Sequence, residues 1–181
     1  QMAKPMTTLL TPITALLYLL TQPARAEDSK MQWNLMPMPE SIAAGEGRLI
    51  VDADFEINIE AADPERITRY AKRILRRISD RTGVFINSGS IRNDAFDAKL
   101  QIRVNRKGEL ALGEDESYRL TVHEKQAVLA AETDLGAMRG LETLVQLIDA
   151  DNENYFFPVV EITDKPRFPW RGLLIDVCRH W

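Results

Sequence analysis

The chain has 181 residues, of which 45% are hydrophobic and 28% are charged, and its formal net charge is −4. This composition is typical of a globular protein of about one domain, and it excludes disordered and fibrous architectures. The acidic balance argues against binding to the phosphate backbone of a nucleic acid. The single cysteine, Cys178, cannot form an internal disulfide, so the fold must rely on its hydrophobic core.

Residues 1–26 have the order of a secretory signal peptide. Lys4 precedes an apolar stretch over residues 9–20, and the small-residue pattern Ala24-Arg25-Ala26 follows it. The apolar stretch is about a dozen residues long and contains Pro12, whereas a spanning helix needs about 20. The sequence therefore favours a cleaved signal over a retained anchor. It predicts export to the periplasm or the extracellular space, without stable membrane insertion.

The chain then alternates between strand and helix patterns. Residues 55–59 alternate apolar and polar side chains, which predicts a strand, and residues 47–51 are interpreted as its hairpin partner. Asp63-Pro64 predicts the start of a helix that ends at Gly83. Six basic residues occupy the polar positions of this helix. The aromatic residue of this stretch, Tyr70, belongs to the apolar positions, so the basic residues indicate a solvated outer face rather than a nucleic-acid site.

Three further strands are predicted at residues 100–105, 118–123 and 127–131. The acidic residues 114–116 between the first two are interpreted as a solvated loop rather than a metal or acid–base cluster. His123-Glu124 resembles the start of a zinc-protease motif, but Ala127 stands where the second histidine is needed, so a zinc site is rejected. The sequence predicts neither a metal nor another cofactor.

A second amphipathic helix is predicted over residues 134–149, and its Gly136 and Gly140 indicate close packing of the backbone. An extended segment follows at residues 155–164. Two prolines at 166 and 169 then interrupt pairing and indicate a domain junction. The apolar run over residues 171–181 is typical of a strand that is covered on both faces.

Three segments carry a resemblance to a known family. Residues 166–181, PRFPWRGLLIDVCRHW, resemble the opening of the catalytic barrel of family 20 glycoside hydrolases, the β-N-acetylhexosaminidases. MPMPESI at 36–42 and TDLGAMRGLETLVQLI at 133–148 resemble earlier parts of the same family. The resemblance implies an α+β domain over residues 27–165, with a mostly antiparallel sheet and helices packed on one face. Residues 166–181 would then be the first strand of a (β/α)8 barrel.

Such a barrel needs about 250 residues, so the chain is expected to be the N-terminal portion of a longer exported enzyme. The family removes terminal N-acetylhexosamine from oligosaccharides or glycoconjugates by substrate-assisted retaining hydrolysis. An Asp-Glu pair in a later strand carries out the chemistry, so the resemblance places the catalytic residues beyond Trp181. Nothing in the sequence indicates an oligomeric state.

The resemblance implies that Arg179 grips the ring hydroxyls of the terminal sugar, since it matches the arginine that the family uses for this contact. A guanidinium suits that role because it offers a rigid fork of donors and keeps its charge. Arg171, Asp176 and His180 are predicted to be structural at the barrel strand. Cys178 beside His180 lacks the third orienting group of a thiol nucleophile. Two alternatives remain, namely a non-catalytic module that binds a glycan or a partner, and the leading domain of a related hydrolase such as an α-glucuronidase.

Overall fold

The structure, a computed structural model, describes residues 33–87, 89–172 and 174–175. The predicted signal peptide over residues 1–26 lies outside this part of the chain. The described residues form one sheet and two helices, in the following order: β1 (Ser41–Val51), β2 (Ile57–Ala61), α1 (Glu65–Thr82), β3 (Ile91–Arg92), β4 (Leu100–Arg106), β5 (Tyr118–Val122), β6 (Ala127–Thr133), α2 (Asp134–Gln146), β7 (Asp149–Ala150) and β8 (Tyr155–Asp164).

The sheet contains both antiparallel and parallel pairs. Its strand order is β1-β8-β5-β6-β4-β2-β3, and β7 pairs with β8 beside this path. The pairs β2–β3, β2–β4 and β4–β6 are parallel, and the other four are antiparallel. The parallel half follows from the connection between β2 and β4, which runs through α1 as a crossover. The predicted α+β class is confirmed. Antiparallel pairs outnumber parallel pairs four to three among the described strands, and the parallel half was not predicted from the sequence.

The interpretation of residues 47–51 as a hairpin partner of the next strand is also wrong. β1 pairs with β8 along almost its whole length, from Ser41 opposite Thr163 to Val51 opposite Tyr155. β8 has 10 residues to match the 11 of β1, whereas β2 has only five. Pairing with β8 therefore satisfies more backbone N–H and C=O groups of β1 than pairing with the shorter β2 would. β1 lies beside β8 at the edge of the sheet.

β2 departs from simple alternation because both of its faces are covered. Asn58 occupies a polar position of the alternation, yet it is only 2% exposed. Its amide nitrogen donates to Oε1 of Gln101 at 2.8 Å, and its Oδ1 accepts from the backbone N–H of Ala95 at 3.1 Å. Gln101 in turn donates to the carbonyl of Ala98 at 3.2 Å. The loop before β4 therefore buries a polar network whose donors and acceptors are paired, as burial of polar groups requires.

The apolar side of α1 packs into the core as predicted. Ile67, Ile74 and Ile78 are fully buried, and the helix ends at Gly83, whose φ of 71° is the left-handed conformation that favours glycine. Within the described residues, no helix is both long and apolar enough to cross a membrane.

The basic side of α1 is more than a solvated outer face. Arg77 binds Glu142 on α2 with nitrogen–oxygen distances of 2.5 and 2.7 Å, and the Tyr70 hydroxyl donates to the same carboxylate. Nη1 of Arg81 donates to the backbone carbonyl of Val145 at the end of α2 at 2.9 Å. Part of the basic run therefore joins the two helices, which the sequence alone did not indicate.

α2 starts where predicted and ends three residues earlier. Thr133 caps its first turn by accepting a hydrogen bond from the N–H of Gly136 at 3.1 Å. The helix stops at Gln146 because residues 149–150 pair with β8 as β7. The predicted close packing of the glycines is confirmed. A Cβ atom at Gly136 would lie 2.3 Å from the carbonyl oxygen of Ser117, and one at Gly140 would lie 2.3 Å from Cδ1 of Leu129.

Candidate functional site

The predicted site residues Asp176, Arg179 and His180 lie outside the described residues, and Arg171 lies within them. Residues 165–172, here called the junction segment, lead to these residues and belong to the described part of the chain. No strand is present in the described part of residues 166–175, so the predicted first barrel strand is not confirmed. A strand of a parallel barrel needs a neighbour on each side for its hydrogen bonds.

The junction segment begins against the segment that precedes β1. Nζ of Lys165 lies 3.5 Å from a carboxylate oxygen of Glu40, and Nη2 of Arg167 donates to the backbone carbonyl of Met38 at 3.1 Å. These are exposed contacts, so each contributes little to stability. They hold the first residues of the junction segment beside the segment that precedes β1.

The strongest contact of the junction segment is made by Arg171. Its Nη2 lies 2.5 Å from each carboxylate oxygen of Glu116, and its Nη1 donates to the carbonyl of Phe168 at 3.4 Å. Glu116 also accepts a hydrogen bond of 2.5 Å from Nε of Arg139 on α2. One carboxylate thus holds two guanidinium groups, and its side chain is only 18% exposed. Burial alone would raise the pKa of Glu116, but the hydrogen bonds from Arg139 and Arg171 bring this pKa below its ordinary value.

The loop that carries Glu116 is itself held firmly. Glu114 accepts two hydrogen bonds from Arg106 at 2.7 and 3.1 Å, and these bonds, together with two backbone N–H groups, lower the pKa of Glu114 to about 2. Asp115 accepts from the N–H of Ser117 at 2.8 Å. The hydroxyl of Thr133 donates to the carbonyl of Asp115 at 2.5 Å. The interpretation of residues 114–116 as a solvated loop is therefore wrong, because two of its three carboxylates bind arginine.

Large apolar side chains are exposed around the junction segment. The exposed fraction is 70% for Phe168, 77% for Trp170, 96% for Leu174 and 63% for Ile175. All four lie in residues 168–175, the stretch that leads to the predicted site residues.

The carboxyl ends of the parallel strands β2, β4 and β6 are the usual position of a ligand in an open sheet with helices. There the fully buried Asp134 accepts hydrogen bonds of 2.5 and 2.6 Å from Arg66 and one of 2.8 Å from the N–H of Gly108. Burial would raise the pKa of Asp134, but these three donors lower it below the ordinary value. Asp134 therefore ties the start of α2 to Arg66 on α1 and to the loop at Gly108.

A polar cleft of about 590 Å³ lies at the opposite, amino ends of β2 and β4. It is lined by Asp54, Glu56 and Asp97 together with Lys99, whose Nζ binds Asp52 at 2.5 Å. In the described ranges of the chain, no group of three or more His, Cys, Asp and Glu side chains is placed to hold a metal ion.

Sequence comparison identifies the relatives of this chain. The model of glycosyl hydrolase family 20, domain 2, matches residues 32–165. Beta-hexosaminidase subunit B1 of Dictyostelium discoideum is 30% identical over 155 residues, which cover 81% of this chain and 27% of the relative. Beta-hexosaminidase subunit alpha of Bos taurus is 49% identical over 72 residues, which cover 39% of this chain and 14% of the relative. The chain therefore spans about a quarter or less of the length of these two curated relatives.

Solved structures show the same fold. A chitobiase of Flavobacterium johnsoniae superposes with a TM-score of 0.78 at 42% sequence identity, over 83% of this chain and 23% of that protein. An exo beta-N-acetylglucosaminidase of Vibrio harveyi superposes with a TM-score of 0.62 at 23% identity, over 81% of this chain and 21% of that protein. At the latter identity the likeness shows the fold alone. Because the family model covers well over half of the sequence, the chain belongs to glycosyl hydrolase family 20.

Proposed function

We propose that the chain is the N-terminal portion of an exported β-N-acetylhexosaminidase, which removes terminal N-acetylhexosamine from oligosaccharides or glycoconjugates. In this proposal residues 1–26 are a cleaved signal and residues 27–165 form the α+β domain. Residues 166–181 begin the catalytic barrel. The signal pattern before the domain supports export, and the family membership supports the reaction class.

The observation that carries the proposal is the sequence that directly follows the family 20 domain. The family model ends at residue 165. The next 16 residues contain prolines at 166 and 169, then an apolar stretch, and Arg179 close to their end. Leu174 and Ile175 are largely exposed, as expected of a barrel strand without its neighbours. Further barrel strands would cover these side chains on both faces.

Arg179 is the residue proposed to bind the sugar. Residues at the carboxyl end of a barrel strand line the active site, and Arg179 stands at that end of the proposed strand. Its guanidinium can donate two parallel hydrogen bonds to neighbouring ring hydroxyls and remains charged at any working pH. Asp176 and His180 are three residues and one residue from Arg179 along the chain. In a strand, odd separations place side chains on opposite faces, so these two are proposed to support the strand rather than touch the sugar.

The proposed mechanism uses the substrate as its own nucleophile. The carbonyl oxygen of the 2-acetamido group attacks the anomeric carbon, while an acidic residue protonates the departing oxygen and later activates water. A neighbouring carboxylate orients the acetamido group. Both carboxylates are proposed to lie beyond Trp181, so residues 1–181 would supply one binding arginine and the support for its strand.

The experiment compares two proteins on two substrates. The complete protein should hydrolyse an aryl N-acetylglucosaminide and should leave the matching aryl glucoside, which lacks the acetamido nucleophile, essentially intact. Residues 1–181 alone should give no turnover above a heat-inactivated control, since they lack the acid. Equal hydrolysis of both sugars by the complete protein would contradict the substrate-assisted mechanism. Turnover by residues 1–181 alone would contradict the proposed position of the catalytic residues.

A further inference from the structure

We propose that Glu116 is a positioning residue, which anchors the start of the first barrel strand through Arg171 and thereby sets the position of Arg179. This inference rests on the proposed function, because it assigns Glu116 a part in the same reaction. Glu116 itself is far along the sequence from the sugar-binding arginine and acts only through the strand.

The contact pattern of Glu116 indicates an anchor rather than a chance surface pair. Its carboxylate bridges Arg139 on α2 and Arg171 in the junction segment, which are 23 and 55 residues away along the chain. The Glu116 side chain is 18% exposed, whereas those of Arg139 and Arg171 are 53% and 42% exposed. The carboxylate of Glu116 is thus the more buried group of the pair, and Arg171 of the junction segment binds to it from the more exposed side.

The anchor is built on a loop that has little freedom to move. The carbonyl oxygen of Ser117 lies where a Cβ of residue 136 would stand, so the loop packs directly against the backbone of α2 at Gly136. The Thr133 hydroxyl holds the carbonyl of Asp115, and the same hydroxyl caps the helix. The position of Glu116 is therefore fixed by the first turn of α2.

A fixed start matters because Arg179 follows Arg171 by eight residues. In the proposed strand, eight residues would span about 26 Å. A small tilt of the strand at Arg171 would therefore displace Arg179 by a larger distance. Misplacement of a catalytic contact by about 1 Å can reduce a rate by about a hundredfold. The other contacts of the junction segment, at Lys165 and Arg167, lie closer to β8 and would allow the later residues to pivot.

The first test measures kcat/KM of the complete enzyme on an aryl N-acetylglucosaminide. We expect Glu116→Gln to reduce kcat/KM by about fivefold to tenfold, since it leaves the strand less well placed. The matched control is Glu114→Gln, which removes a bidentate arginine contact in the same loop without touching the junction segment, and we expect it to leave kcat/KM within about twofold. An equal loss in both variants would overturn the inference, because it would show a general effect on the loop.

A positional role also predicts that Glu116 matters only while Arg179 is present. In the Arg179→Lys background, the additional loss from Glu116→Gln should fall below about twofold, because the two changes disrupt one contact. The same fivefold to tenfold loss in both backgrounds would show a purely structural role and would overturn the inference.

A second readout does not depend on activity. Trypsin cleavage after Arg171 requires its guanidinium to leave Glu116, whereas cleavage after Arg167 does not. In Glu116→Gln, we expect the rate of cleavage after Arg171 to rise about fivefold relative to cleavage after Arg167, as measured by mass spectrometry, and to stay unchanged in Glu114→Gln. An unchanged ratio in Glu116→Gln would overturn the anchor. If the complete wild-type protein does not hydrolyse the aryl N-acetylglucosaminide, the proposed function fails, and this ratio alone decides whether Glu116 anchors the junction segment.

Discussion

The replacement Asp134→Asn tests how much the buried ion pair between the helices contributes to stability. Asp134 is completely buried and accepts hydrogen bonds from Nε and Nη2 of Arg66 and from the N–H of Gly108. Asparagine keeps the shape, but it places an amide donor against a guanidinium donor and removes the negative charge. Breaking a buried pair by removing one partner costs about 3–5 kcal/mol.

The expected loss is smaller than that range because the Arg66 side chain is 21% exposed and can recover some hydration. We expect Asp134→Asn to lower the free energy of unfolding by about 2–4 kcal/mol at pH 7, a large fraction of the stability of an ordinary domain. Urea denaturation followed by circular dichroism measures it. Asp63→Asn is the matched control, because Asp63 binds Lys107 at 2.8 Å in an exposed pair, and we expect almost no change there.

The pH dependence provides an independent check on the same residue. The folded-state pKa of Asp134 lies below its ordinary value of 3.8, so its stabilising effect is fully present above pH 3.8 and is lost as the pH falls through the folded-state pKa. The difference in the free energy of unfolding between wild type and Asp134→Asn should therefore be constant near neutral pH and become smaller in acid. A loss at pH 7 no larger than that of Asp63→Asn, or a difference that grows in acid, would refute the reasoning.

Two further predictions concern packing and export. Gly136→Ala should lower the free energy of unfolding by about 1–3 kcal/mol, because the new methyl group meets the Ser117 carbonyl. This clash outweighs the gain of about 1 kcal/mol in helix propensity. A variant that is more stable than wild type in urea denaturation would contradict the packing. Expression with export should give a mature protein that begins at Glu27, and mass spectrometry that finds residues 1–26 attached would contradict the predicted cleavage.

The helices could be predicted from the sequence because their signals are local. The apolar spacing from Ile67 to Ile78 and the glycine at 83 define α1, and the two glycines of α2 indicated the tight packing that the structure shows. These signals depend on residues within a few turns of one another. Local chemistry therefore determines where each helix begins and what it buries.

The strand pairing and the site contacts could not be predicted in the same way. β1 pairs with β8, more than a hundred residues later, and its alternation contains no information about that partner. Glu116 was interpreted as one of three solvated carboxylates, because nothing beside it in the sequence indicates that Arg139 and Arg171 converge on it. The ion pair of Asp134 could not be predicted for the same reason, since its partner Arg66 lies 68 residues earlier in the chain. In each case topology determines the contact.

The measurement that tests the central claim most directly is kcat/KM of the complete enzyme with Arg179→Lys and with Arg171→Lys. Lysine keeps the charge but loses the planar fork. Arg179→Lys should therefore reduce kcat/KM far more than Arg171→Lys, which keeps the ion pair with Glu116. Losing one charged hydrogen bond to the sugar costs about 1.5–3 kcal/mol, so Arg179→Lys should reduce kcat/KM by about tenfold to a hundredfold. Part of the loss should appear in kcat, since ring contacts also orient the acetamido group. Near-normal efficiency of Arg179→Lys beside a large loss in Arg171→Lys, with both variants folded by circular dichroism, would contradict the assignment of Arg179 as the sugar-binding arginine.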